Sequence, residues 1–240
     1  MSQLAAGVSY WFSDRNGGTS RSPYTSLNLG AGVGDDPADV AANRDLLAVK
    51  CGLAPPGIAW MRQVHGVLVR YAGPDWPVRD PLPCDAVYTD VPGLALAVLV
   101  ADCVPVLVAD PHARLAGAAH AGREGMVAGV VPALVAAMVT AGARPARMRA
   151  VIGPSICAGC YEVPADMHAR VSADVPQARA TTRAGTPGLD LAAGVRAQLA
   201  AAGIEAIGHD PRCTRESADL YSYRRDGITG RFAGLVWLAP

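Results

Sequence analysis

The clearest pattern in the chain is a series of short apolar runs between residues 85 and 120. Ala86–Tyr88, Leu94–Val100, Val104–Ala109 and Leu115–Ala119 are rich in Val, Leu and Ala, and Pro-Gly, Asp-Cys and Asp-Pro steps separate them. Unbroken apolar runs of this length with turn residues between them predict buried strands. The next segment changes period. Met126, Val130, Leu134 and Met138 recur every four residues beside Val127, Val131, Val135 and Val139, which predicts a helix with a broad apolar stripe packed on the sheet and a kink at Pro132. Upstream, Asp36 and Pro37 supply an N-cap and an N1 proline, Val40, Leu47 and Cys51 keep helical spacing, and Gly52 stops the run. A helix is predicted there over 37–51. Further strands are predicted at 148–152 and 232–237, and helices at 164–174 and 191–202, the last capped by Asp190 and stopped by Gly203. Strand runs mixed with isolated helices indicate α+β layers rather than a regular doubly wound sheet. No fixed-period repeat or polar linker divides the chain, so one domain is expected over 1–240.

Composition narrows the function classes. With 240 residues, 51% hydrophobic and 18% charged, the chain can bury a large core, which excludes disorder and coiled coil. Its 21 basic and 21 acidic side chains cancel, so no overall field draws it to nucleic acid or an anionic membrane, and neither partner is expected. Twenty of the basic residues are arginine, which makes a lone arginine weak testimony for an anion site. The longest apolar stretch, Leu94–Ala101, is far shorter than the ~20 residues of a membrane helix. Met1–Tyr10 lacks the basic and apolar regions of a signal peptide, so a cytoplasmic location is expected. The six cysteines are then thiols: core fillers, metal ligands or nucleophiles.

Three groups invite chemistry. The cluster Gly30-Ala31-Gly32-Val33-Gly34 fits neither the dinucleotide fingerprint nor a P-loop and reads as a plain turn. Cys157 and Cys160 have C-x-x-C spacing, but no second pair or histidine pair completes a structural zinc site in the sequence, so packing cysteines are expected. More informative are His65 in Gln-Val-His-Gly, Cys103 in the break between two predicted strands, and His120 at the end of a third. Two imidazoles and a thiolate suit a borderline-soft divalent ion, and three protein ligands leave a fourth position open, as catalytic sites require.

Seven motifs occur in order: Gln63-Val64-His65-Gly66; Cys84-Asp85-Ala86 with Thr89-Asp90; Ala101-Asp102-Cys103-Val104-Pro105; His120-Ala121-Gly122; Ile152-Gly153-Pro154-Ser155-Ile156; Cys160-Tyr161-Glu162-Val163; and Cys213-Thr214 followed by Tyr221-Ser222-Tyr223-Arg224-Arg225. Together with Asn28-Leu29-Gly30 and Asn43-Arg44, they resemble the laccase-domain purine nucleoside phosphorylase family, also catalogued as polyphenol oxidoreductases and peptidoglycan editing factors. The resemblance implies an α/β/β/α layered sandwich related to toxin deamidases with a Cys-His pair, and places metal ligands at His65, Cys103 and His120. One departure stands out: the family's Trp-Arg-Gly after His-Ala-Gly is Arg123-Glu124-Gly125 here.

The resemblance implies zinc-dependent phosphorolysis of adenosine, inosine, guanosine and methylthioadenosine, with adenosine deamination as a side activity. Purine nucleoside and phosphate are then the partners. Asp102 and Glu162 are candidate proton carriers beside Cys103 and His120. Asn43, Gln63 and Arg225 are assigned to substrate, Arg225 because its planar fork suits phosphate oxygens. Two alternatives stay open: a peptidoglycan-precursor hydrolase with Cys103 as nucleophile and His120 as base, and a polyphenol oxidase with a single copper on the same ligands. Five histidines are too few for several copper centres.

Overall fold

The computed structural model describes residues 1–53, 57–77 and 80–239. Thirteen strands are described: β1 (Ser2–Ala5), β2 (Val8–Phe12), β3 (Ile58–Ala59), β4 (Val69–Tyr71), β5 (Ala86–Thr89), β6 (Ala95–Val100), β7 (Val104–Asp110), β8 (Leu115–Ala121), β9 (Arg149–Ile152), β10 (Arg179–Thr181), β11 (Pro187–Leu189), β12 (Ala206–His209) and β13 (Phe232–Leu238). The helices are α1 (Pro37–Lys50), α2 (Arg123–Ala128), α3 (Val130–Thr140), α4 (Ala165–Asp174), α5 (Leu191–Ala201) and the short α6 (Tyr223–Asp226). One sheet has the order β1-β2-β13-β6-β3, the other β12-β9-β7-β8-β5-β4, and β10-β11 form a separate ribbon.

Three cores follow from the side-chain alternation of these strands. In β7, Val104, Val106 and Val108 point to one core with Met126, Val130, Leu134 and Met138 of α2 and α3. The intervening Leu107 and Ala109 point to a second core, against Leu96, Val98 and Val100 of β6 and Phe232 and Val236 of β13. The remaining face of β6 and β13, including Ala95, Ala97, Leu235 and Trp237, packs on Leu47 and Ala48 of α1. The layers therefore run helix, sheet, sheet, helices, a mixed α+β arrangement. Because both sheets are covered on both faces, β7, β8 and β13 are buried at every residue, which is why they read as unbroken apolar runs.

The predicted elements are present with ends shifted by one or two residues, with one correction. The helix expected around Pro132 is two helices, broken at Gly129 rather than at the proline. Gly129 has φ +91° and closes α2 as it opens α3. Pro132 then falls in the first turn of α3, where its missing N–H has no intrahelical partner to lose. Among the described residues, no helix is long and apolar enough to cross a membrane.

Candidate active site

Strand register gathers the chemistry at one end of the six-stranded sheet. β7 and β8 pair so that Pro105 faces His120 and Val104 faces Ala121. β5 and β8 pair Ala86 with Ala119, which sets Asp85 beside His120. The His120 amide donates to the Asp85 carbonyl at 2.7 Å. Asp85 and Cys103 hold the alternation of Val87 and Leu107, and His120 that of Ala116 and Ala118, so all three project toward the space between the sheets. His65 arrives from the loop before β4.

Asp85 organises this corner. Its buried carboxylate accepts amide N–H bonds from Val64, His65 and Gly66 at 3.1, 2.9 and 2.7 Å, which holds His65 at φ +60°. It also lies 2.9 Å from His120 Nδ1. An ionised carboxylate only accepts, so Nδ1 carries the proton and Nε2 is left toward Cys103. Burial opposes the Asp85 charge, but the His120 bond and the backbone amides outweigh it and keep the carboxyl below its usual value. Burial likewise opposes the Cys103 thiolate, yet the His120 charge and bonds from both imidazoles bring it down to about 6. His120 moves the other way: desolvation is overcome by the Cys103 and Asp85 charges, which favour its protonated form.

One ligand atom each from His65, Cys103 and His120 lie within 4.8 Å of one another, and the two rings meet edge to face at 4.8 Å. The residues fit a metal: a thiolate, two imidazoles, and a carboxylate orienting one imidazole from behind. Gly122 keeps the space open. A Cβ there would stand 3.0 Å from His65 Cδ2 and 3.1 Å from Cys103 Sγ.

The three donors open into a cavity of about 810 Å³. Arg44, Arg62, Arg123, Arg224 and Arg231 line it, against one carboxylate, Asp102. Of these arginines only Arg123 has a carboxylate partner among the described residues, Glu124. Burial lowers Arg44 to about 10 and lowers Arg231 as well, so the wall holds partly desolvated cations. Tyr161 and Tyr223 bring aromatic surface, and the Arg224 guanidinium sits 4.9 Å over the Tyr161 ring. Gly30–Val33, read from sequence as a plain turn, also lines the cavity.

The structure places the other expected residues unevenly. Asp102 lines the cavity, but both its oxygens are engaged, by Thr214 Oγ1 and by the Arg224 amide, each at 2.6 Å. These bonds hold it at φ +96°, a conformation that costs a non-glycine residue energy, so it reads as a staple beside Cys103. Gln63 also lines the cavity, with its amide paired to the Leu99 backbone at 2.7 and 2.8 Å. Three expected residues lie outside the cavity lining. Asn43 is fully buried and binds Ser20, Ser26 and Asn28. Arg225 donates to the carbonyls of Thr214, Ser217 and Leu220 and pairs with Asp226; it is not in the cavity lining. Glu162 is exposed, and its backbone carbonyl, not its carboxylate, meets Arg224. Asp85, Gly122, Arg44 and Tyr161 have roles that the sequence alone did not show, although each lies inside one of the sequence motifs.

The family model described as multi-copper polyphenol oxidoreductase laccase matches residues 9–239. A purine nucleoside phosphorylase of Streptomyces coelicolor is 56% identical over 97% of this chain and 96% of its own length. One of Mycobacterium tuberculosis is 49% identical over 93% and 89%. The crystal structure of YlmD from Geobacillus stearothermophilus superposes with a TM-score of 0.91 at 33% identity, covering 100% of this chain and 94% of that one. A Neisseria meningitidis protein superposes at 0.88 with 36% identity, over 98% and 96%. Near-complete coverage by the family model and by these relatives makes the chain a member of the multi-copper polyphenol oxidoreductase laccase family.

Proposed function

We propose that this chain is a zinc-dependent, cytoplasmic purine nucleoside phosphorylase. It takes adenosine, inosine, guanosine or methylthioadenosine with phosphate to the free base and the sugar 1-phosphate, and deaminates adenosine as a side activity. The observation that carries this reading is a cavity lined by five arginines, one engaged carboxylate and the His65, Cys103 and His120 donor group. That charge pattern suits a small dianion, and the names of the relatives at 49–56% identity support the same reaction.

The residues divide the work. Arg44, Arg62, Arg224 and Arg231 hold phosphate oxygens; Tyr161 and Tyr223 flank the base. In the reaction a phosphate oxygen bonds to C1′ as the C1′–N9 bond breaks, and the leaving purine needs a proton or hydrogen bond. Burial keeps the Tyr161 phenol above its usual value, so it remains a neutral donor. Asp102 positions Cys103 and the Arg224 backbone rather than carrying protons. His65, Cys103 and His120 would hold zinc, which when bound would supply Lewis-acid polarisation.

Chromatography of a nucleoside mixture incubated with and without phosphate tests the reading. Phosphate-dependent release of free base is expected; none at high enzyme concentration overturns it. One observation favours a second reading. Cys103 lies beside His120, whose charge and bond lower the thiol to about 6, and a cysteine hydrolase of peptidoglycan precursors needs such a pair. Cleavage of a muramyl precursor, abolished in Cys103→Ser, would put that reading first. Copper at full occupancy in untagged protein would instead favour the oxidase.

A further inference from the structure

Behind the cavity wall lies a second convergence of ligand-type side chains. Cys157, Cys160, Cys213 and Glu216 each offer one atom, and these atoms lie within 4.8 Å of one another. Nearest neighbours in sequence show only the C-x-x-C pair. The fold supplies the rest, because Ser155 bridges Cys213 in parallel and so lays the 213–216 turn across the 157–160 turn. We propose that these four residues form a structural zinc site, separate from the catalytic group.

The donor set, its spacing, the turn geometry and the surrounding charge all fit zinc. Three thiolates and one carboxylate are a donor set that selects zinc over magnesium or calcium. Donors around a tetrahedral zinc with sulfur at ~2.3 Å stand roughly 3.8 Å apart, so the observed cluster needs only a small closure. The turn geometry matches metal-bound sulfur, since the Cys157 amide donates to Cys213 Sγ at 3.4 Å. Finally, the surroundings balance the charge. Three thiolates and a carboxylate about a divalent ion leave two excess negative charges, and two arginines stand against them. Arg183 is ion-paired with Glu216 and reaches Cys160 Sγ at 3.4 Å, and Arg215 donates to the Cys160 carbonyl at 3.4 Å. Such outer partners orient ligands in metal centres.

The position gives the site its purpose. Ile156 and Tyr161, which flank the first cysteine pair, both line the active cavity. Thr214, next to Cys213, holds Asp102 beside Cys103. A metal at this point fastens the two loops that shape the wall and seat Asp102, while Glu216 at the exposed edge gives an entry path. Binding displaces the thiol protons and needs no electron transfer.

The test is metal counting on full-length, untagged protein purified under reductant. Two zinc ions per chain are expected in the wild type. One should remain in His65→Ala/His120→Ala and one in Cys157→Ser/Cys213→Ser. Should the second variant fail to fold, the wild type still decides: peptide mapping after alkylation should show Cys157, Cys160 and Cys213 protected together by zinc and exposed together by chelator. Cobalt reconstitution of the His65→Ala/His120→Ala protein should give the intense sulfur-to-metal absorption of several thiolates. Loss of all zinc in that variant, alkylation of the three cysteines unaffected by zinc, or a disulfide among them under reductant overturns the proposal. Zinc bound at the cysteines of a wild-type protein that shows no phosphorolytic activity would support this site while failing the phosphorylase reading.

Discussion

Gly122→Ala separates the geometry of the donor group from the stability of the fold. Gly122 lies at φ −70°, ψ 171° as the N-cap of α2, a conformation alanine adopts freely. Losing glycine at an N-cap costs roughly 0.5–1 kcal/mol, and the stiffer unfolded chain returns about 0.4–1 kcal/mol, so global stability should hardly change. The added methyl instead meets His65 Cδ2 at 3.0 Å, Cys103 Sγ at 3.1 Å and His120 Cε1 at 3.7 Å. Carbon contacts settle at about 3.5–4.0 Å, so the first two must retreat by roughly 0.5 Å, whereas metal–ligand distances tolerate only ~0.2 Å. Metal affinity should fall about 10–100-fold, which is roughly 1.4–2.7 kcal/mol, with turnover falling in parallel at limiting metal. Chelator competition gives the affinity, and calorimetry checks that the melting temperature is kept. Unchanged affinity and turnover in a folded variant would refute the view that these three side chains bind one ion around an empty Cβ position.

Asp85→Asn should cost a similar 10–100-fold in metal affinity, read by the same competition assay. Because the folded Asp85 pKa lies below the ordinary 3.8, its contribution to stability is present above that pH and lost as pH falls through the folded value. Acid unfolding of the variant should therefore be shallower than that of the wild type. Arg231→Lys should raise the KM for phosphate about tenfold and, because Arg231 also donates to the Thr229 and Gly230 carbonyls at 2.9 Å, lower the melting temperature as well, whereas Arg225→Lys should destabilise by about 1–3 kcal/mol through its orphaned carbonyls and leave the KM unchanged; steady-state kinetics on both proteins distinguish the roles. In metal-free protein, alkylation of Cys103 should persist down to about pH 6, well below an ordinary thiol. Quantitative mass spectrometry across pH checks it, and an onset near 9 would count against the His120–Cys103 pairing.

Local pattern made the centre of the fold legible and left its edges obscure. β7, β8 and β13 are covered on both faces, so burial alone wrote their sequences. β1, β2 and β12 are partly exposed, and with polar residues interleaved they carry no comparable signal. The donor triad was legible because each member interrupts an apolar run with a residue that core packing does not need. Asp85 was not, since its role exists only through the pairing of β5 with β8. Arginine roles were the least legible: Arg224 and Arg225 are adjacent on α6, yet Arg224 lines the cavity while bonding the Glu162 carbonyl and Arg225 is spent on the carbonyls of Thr214, Ser217 and Leu220, a difference that comes from their offset around one short helix. The neighbours of the C-x-x-C pair were hidden from sequence because Cys213 and Glu216 lie more than fifty residues away.

The single carboxylate of Asp85 has a consequence for the order of events on the way to the native state. It joins residues 64–66 to His120 across strands that are distant in sequence, so its partners meet only after β5 and β8 have found register. Contacts of that separation form late, since closing the intervening loops costs entropy before any bond rewards it. The donors at residues 65, 103 and 120 therefore cannot nucleate the chain around an ion, as a zinc finger does. Metal capture at this corner would then be a finishing step, and its rate in a refolding experiment would clock completion of the six-stranded sheet.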